Sequence, residues 1–239
     1  MLDDTLVERV LIVQAHPDDS DFGAAGTIAG WTSAGIDVTL CCITNGDAGG
    51  NDHSVPRSEI PKIRQAEQRA AAKILGIKDV VFLNYIDGEL TVSHDLRRDI
   101  VRVIRQVRPQ RMLIQSPERN WDRIFASHPD HLAAGEAAIQ AIYPDARNPF
   151  AHMSLLNDEG LQDWAVSEAW VMGTPTPNHF PDITEHFATK LAALQQHESQ
   201  TGHMDDLEGM LRGWGTMMAQ RGGLPEGQLA EAFMVVATS

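Results

Sequence analysis

Two tetrapeptides hold the chemistry this chain can offer: HPDD at residues 16–19 and HPDH at residues 128–131, each following an apolar run. Between them they supply imidazoles and carboxylates, the groups that ligate divalent metals and move protons near neutral pH. His16 and Asp19 are three residues apart, so a helix that starts at Pro17 or just after it projects both from one turn toward one point. His131 would complete a His/Asp/His set with a fourth position open to water. That is the catalytic zinc arrangement, whereas structural zinc is usually closed by four ligands, often cysteines. Asp18 lies between two of these ligands in sequence and cannot easily share their metal from that direction, which makes it the candidate base for the water proton. His128, held by Asp130 or another carboxylate, is suited to stabilise an oxyanion as imidazolium or to give a proton to a leaving amine. The reaction this inventory describes is amide hydrolysis.

A plainer reading competes. Pro17 followed by acids makes a good first helical turn, and Ser127 to Asp130 resembles a variant capping box, S-x-x-D. The recurrence of His-Pro on two loops that both follow strands favours the catalytic reading.

The elements that must position these residues are readable from the apolar pattern. Strands are expected over residues 10–14, 38–44, 80–83, 112–115, 166–172 and 232–237. Helices are expected over 22–34, 58–75, 95–107, from the second motif to about 143, and over 184–196 and 206–220. The alternation predicts a Rossmann-like, doubly wound α/β fold, a mostly parallel sheet flanked by helices, with residues 1–239 forming a single domain. Both motifs then fall on crossovers after strands, the first and the fourth, where open α/β sheets bind ligands. The loop at 45–57 (NGDAGGNDHSVPR) is too polar to pack and reads as functional, the stretch 144–164 as irregular, and PTPNHFP at 175–181 as a rigid loop.

A net charge of −14 excludes the basic footprint that nucleic acids and anionic membranes require, so the expected partner is a small molecule. No apolar stretch approaches the ~18 residues of a membrane span. The opening MLDDTLV carries acids where a secretory signal carries bases, so a cytoplasmic location is expected. The only cysteines, Cys41 and Cys42, are adjacent in a strand and point to opposite faces, which provides no disulfide framework.

The sequence resembles the PIG-L/LmbE zinc-dependent de-N-acetylases, whose signature is AHPDDE after the first strand and HPDH after a later one. Here these read AHPDDSDFGAAGTIA and ASHPDHLAAG, and the resemblance continues in TNGDAGG, IRQAEQRAAAKILGI, LNYIDGEL and KLAALQQHESQ over about residues 8–200. It looks closest to the diacetylchitobiose deacetylase branch. The resemblance implies an LmbE-like fold, zinc on His16, Asp19 and His131, Asp18 as general base, His128 as second catalytic histidine and Asp130 as the residue orienting it. It also implies an N-acetylated sugar substrate and a homo-oligomer, trimer or hexamer. Arg64 would bind a substrate hydroxyl, with a structural pairing by Glu67, or both would be solvated charges on an exposed helix face. Asp87, with Asn84 beside it, would bind a sugar hydroxyl or simply serve the turn at Asp87-Gly88. His197 is read as a cap or packing residue. The family's usual glutamate after HPDD is Ser20 here, which changes the surroundings of the metal without removing a ligand.

Two alternatives stand beside this reading. One is the same chemistry on a larger amide, such as a thiol conjugate. The other is a nucleotide-binding Rossmann-like module, which would need G-x-G-x-x-G where this chain has HPDDSDFG. A non-catalytic zinc protein is disfavoured by the spare Asp18, and His and Asp ligands also accept iron and other divalent ions.

Overall fold

Val10, Ile12, Val38 and Leu40 form one face of the central strands, and Leu11, Val13, Cys41 and Ile43 the other, each packed into its own apolar core. This is the signature of a sheet buried on both sides, which parallel strands require. A computed structural model describes residues 1–50 and 52–238. Strand β1 (Arg9–Gln14) leads to α1 (Asp19–Ser33), β2 (Asp37–Thr44), α2 (Ile60–Ile74), β3 (Asp79–Tyr85), α3 (His94–Val107), β4 (Arg111–Gln115) and α4 (Pro129–Gln140). A short α5 (Met153–Asn157) precedes β5 (Glu168–Met172), and α6 (Phe187–Leu194), α7 (Glu198–Thr201), α8 (Leu207–Gly222) and β6 (Phe233–Ala237) follow.

The sheet runs β3-β2-β1-β4-β5-β6, with only β6 antiparallel to its neighbour. Strand order reverses between β1 and β4, which pair in parallel with Val13 opposite Ile114. The two tetrapeptides therefore leave the sheet side by side, at the switch point of a doubly wound fold. The expected doubly wound, mostly parallel α/β architecture is the one observed, and Cys41 and Cys42 lie buried in opposite cores.

Differences from expectation are local. Helix α4 stops at Gln140 and passes into a wider turn, Ala141–Asp145, because Pro144 cannot continue it. The segment expected as one helix over 184–196 is a 3-10 turn, Thr184–His186, followed by α6. The capping box of the plainer reading does not form: Ser127 Oγ accepts the Asn120 N–H, and His128 caps α4. Among the described residues, no helix is long and apolar enough to cross a membrane.

Candidate metal centre and active site

The tight turn that joins β1 to α1 is made by a residue with a left-handed backbone, Asp18, at φ 94°. Aspartate tolerates this region better than most residues because its short polar side chain bonds locally. The turn folds Asp19 back so that its Oδ2 accepts the His16 N–H at 2.7 Å. Helix α4 brings His131 from the other side. It can approach because Gly135, one turn along, lies against the end of β4, where even a Cβ would stand 2.4 Å from the Gln115 carbonyl oxygen.

Three donors converge as a result. His16 Nδ1 is 3.2 Å from His131 Nε2, His131 Nε2 is 3.0 Å from Asp19 Oδ1, and His16 Nδ1 is 3.5 Å from Asp19 Oδ2. Donors arranged tetrahedrally around zinc at roughly 2.0–2.2 Å are about 3.3 Å from one another, a spacing these contacts approach, with each Asp19 oxygen facing one of the two histidines. The other nitrogen of His16 also matters. Nε2 lies 3.1 Å from Asp87 Oδ1 and 3.2 Å from Asp130 Oδ2. Two carboxylates there hold the ring proton on Nε2 and leave the Nδ1 lone pair free for a metal. His16, Asp87 and Asp130 are themselves close enough to be a ligand group, as are His16, His128 and His131. The Nε2 side of His16 is occupied by two carboxylates, and the Nδ1 side faces Asp19 and His131.

Burial opposes a charge on His16, but the Asp19 carboxylate and hydrogen bonds to Asp130, Asp19 and Asp87 outweigh it and push its pKa up to about 12. Burial likewise raises Asp19, yet His131 and His16 together hold it well below the usual carboxylate range. His131 is opposed by burial and raised by Asp19. In the metal-free chain protons neutralise this cluster of anions, and a divalent cation performs the same task.

Asp18 differs from its neighbours. Its carboxylate pairs with Arg64 Nη2 at 3.1 Å, and its side chain is 14% exposed. Burial lifts its pKa to about 6 against the lowering effect of Arg64. A carboxylate poised there is charged at neutral pH yet basic enough to accept a proton. His128 is exposed, and its Nδ1 accepts the Asp130 N–H at 3.2 Å. Burial and the neighbouring His16 and His131 lower its pKa, so the ring is neutral and carries its proton on Nε2.

The contacts of the other candidate residues differ from what spacing in sequence suggested. Asp130 was expected to orient His128, but its carboxylate receives His16 Nε2 and the Gly88 and Leu90 N–H groups, and only its backbone reaches His128. Asp87 sits in the turn at Asp87-Gly88, as one of its two readings had it, and is in addition a buried partner of His16 that accepts the Ala48 N–H. Arg64 is neither open to a ligand nor solvated. It is 4% exposed, and its guanidinium donates to Gly46 O, Pro17 O and Asp18. Glu67 accepts from both the backbone and hydroxyl of Ser199, which docks the HESQ segment on α2.

Sequence reasoning missed a buried polar layer beneath the turn. Gln68 Oε1 accepts from Asp18 N and from Gln14 Nε2, while Gln68 Nε2 donates to Asp21 Oδ2, which also faces His197 Nε2 at 3.2 Å. Ser20 donates its N–H to Gln14 Oε1, and both Ser20 and Asp21 are buried. The signal was Gln14, a polar residue closing an otherwise apolar strand.

Comparison with known proteins agrees with this geometry. Residues 11–142 match the PIG-L family, described as GlcNAc-PI de-N-acetylase. The chain is 36% identical over 194 residues to the diacetylchitobiose deacetylase of Thermococcus kodakarensis, covering 81% of this chain and 70% of that protein. It is 33% identical over 200 residues to a probable N-acetyl-alpha-D-glucosaminyl L-malate deacetylase 2 of Bacillus anthracis, covering 80% of this chain and 81% of that one. Among solved structures, the N,N'-diacetylchitobiose deacetylase of Pyrococcus horikoshii superposes with a TM-score of 0.87 at 30% identity, covering 97% of this chain and 85% of that one.

Proposed function

The chain belongs to the PIG-L family of de-N-acetylases, and from that premise we propose that it is a zinc-dependent hydrolase that removes the N-acetyl group of an amino sugar or its glycoside. The observation that carries the reading is the meeting of His16 Nδ1, Asp19 and His131 Nε2 within 3.0–3.5 Å, with Asp18 and His128 beside them and outside the ligand set.

Zinc held by His16, Asp19 and His131 would supply Lewis acidity, polarising the amide carbonyl and making water a better acid. Asp18 takes a proton from the attacking water as the new C–O bond forms. His128 donates its Nε2 hydrogen to the carbonyl oxygen as negative charge develops on it. When the C–N bond breaks, Asp18 returns its proton to the departing nitrogen, so the products are acetate and a free amine. Arg64 stabilises the charged form of Asp18 and fixes its direction, so the base is ready before substrate arrives. Asp87 and Asp130 act at one remove, by fixing the ring of His16.

The native setting of this reading is a cytoplasmic homo-oligomer acting on a small sugar. Its test is acetate release from N-acetylglucosamine and its disaccharide, measured alongside bound metal before and after chelation. Turnover that tracks bound zinc supports the reading. Zinc bound at one equivalent with no amide cleaved would reduce the protein to a non-catalytic metal binder.

A further inference from the structure

Helix α1 starts from Asp18 and Asp19 and continues to Ser33, yet one rung of its hydrogen-bond ladder is served by side chains from elsewhere. In an uninterrupted helix the Phe22 carbonyl accepts from the Gly26 N–H. Here the Phe22 carbonyl accepts from Lys190 Nζ at 2.6 Å, and the Gly26 N–H donates to Glu231 Oε1 at 3.0 Å. Glu231 Oε2 accepts the next N–H, that of Thr27, at 2.8 Å, and Lys190 Nζ donates to Glu231 Oε1 at 2.6 Å, which closes the circuit. Lys190 comes from α6 and Glu231 from the segment before β6.

The pair is buried, with 5% and 4% of the two side chains exposed. Taking two charges out of water is costly, and an apolar pair of similar volume commonly stabilises a core as well or better. What apolar side chains could not do is bond the backbone of α1 at one defined rung. The carboxylate is itself held in place. The Ala230 N–H donates to Gly215 O of α8 and the Glu231 N–H to Pro181 O, while Ile183 packs so closely that a Cβ on Gly26 would stand 2.6 Å from its own.

The rung connects directly to the chemistry. Phe22 donates its N–H to the Asp18 carbonyl at 3.0 Å, so a single residue separates the Lys190 ammonium from the backbone of the base. Asp19, Phe22, Lys190, Glu231 and His131 border one cavity. A side chain inserted into the ladder sets the direction of the helical turn beside it. We propose that Lys190 and Glu231 are positioning residues: by holding the rung between Phe22 and Gly26 they fix the first turn of α1, and with it Asp18 and Asp19, against His131, which arrives separately on α4. Both lie beyond residues 11–142, so the C-terminal part of the chain aligns the metal centre while adding no ligand of its own. This inference rests on the deacetylase reading and deepens it.

The test compares Lys190→Met, Glu231→Gln and the double variant in the full-length chain. Thermal melts report stability, chelator competition reports zinc affinity, and kcat and KM are measured on the disaccharide of N-acetylglucosamine at saturating zinc, well below the melting temperature. Each single variant leaves one charge buried alone and should melt lower, and the double variant, which removes both charges, should recover most of that loss. Phe22 still lacks its ammonium donor in the double variant, so zinc affinity and kcat should each stay about tenfold or more below native, with KM within about threefold. A pair that serves stability alone gives the opposite result, native zinc affinity and native kcat in the double variant, and that overturns the proposal. Should the double variant not fold, the native chain decides by reciprocity. Zinc must then protect the Gly26 and Thr27 amides from hydrogen exchange beyond the protection it gives α3, and equal protection overturns the proposal. If the native chain releases no acetate the deacetylase reading fails, while zinc affinity, which needs no substrate, still supports or refutes the role of the pair.

Discussion

Gly135→Ala tests how the fold assembles the metal centre. The added Cβ would lie 2.4 Å from the Gln115 carbonyl oxygen and 2.9 Å from Pro117 N, against ordinary contacts that begin near 3.4 Å. Backbone cannot rotate away as a flexible side chain can, so α4 and the end of β4 must separate by about 1 Å. His131, four residues earlier on the same helix, moves with it. The 3.2 Å gap between His16 Nδ1 and His131 Nε2 would then approach about 4 Å, too wide for two ligands of one zinc ion. Overpacking costs roughly 1–3 kcal/mol, while replacing a helical glycine by alanine returns about 1, so the net loss of stability is modest, ~0–2 kcal/mol. The metal centre should suffer far more, with a loss of zinc affinity and of kcat/KM on the order of 100-fold. Chelator-competition titration measures the affinity, and thermal melts of the metal-free chain measure the stability. Gly213→Ala is the control, because nothing lies within 4 Å of its added Cβ, and it should gain about 0.5–1 kcal/mol with zinc binding unchanged. Native zinc affinity and activity in Gly135→Ala would refute the claim that this close approach aligns the ligands.

Asp18→Asn keeps the shape and tolerates the same left-handed backbone, so activity should fall by roughly 10²- to 10⁴-fold while metal analysis still finds one zinc. Chelation should abolish turnover and lower the melting temperature by about 5–10 °C if zinc had been present at ~100 times its dissociation constant, yet leave far-UV circular dichroism intact, because Asp87 and Asp130 hold His16 without a metal. Glu168 is raised by burial but held below the usual glutamate range by the Leu2 N–H, Trp170 and Arg111. Its folded pKa lies below its unfolded one, so its contribution is present above pH ~4.5 and is lost as pH falls through the folded value. Glu168→Gln should therefore cost about 3 kcal/mol near pH 7 by leaving Arg111 buried with fewer partners, and should flatten the acid limb of the stability curve seen in urea melts.

The sequence by itself determined the layout. Short continuous apolar runs marked each strand of the sheet, the helices between them implied parallel crossovers, and two His-Pro motifs at strand ends located the crevice, because each of these signals is local. The ligand types and the spare Asp18 could be read for the same reason: all but His131 lie within four consecutive residues. What only the tertiary structure decided was how distant residues share one donor atom. Asp130 looked like the partner of its near neighbour His128, and instead reaches His16, 114 residues away in sequence. Arg64 could be read as a hydroxyl binder or a solvated charge and Asp87 as a sugar binder or a turn residue, and chain folding buried them against Asp18 and His16. Met172 at the end of β5 and Met210, Met217 and Met218 of α8, far apart in sequence, line one cavity together with Asp19 and His131. Hydrogen bonds and cavities of this kind depend on ångström-scale approach between elements far apart along the chain, and spacing in sequence carries no such distance.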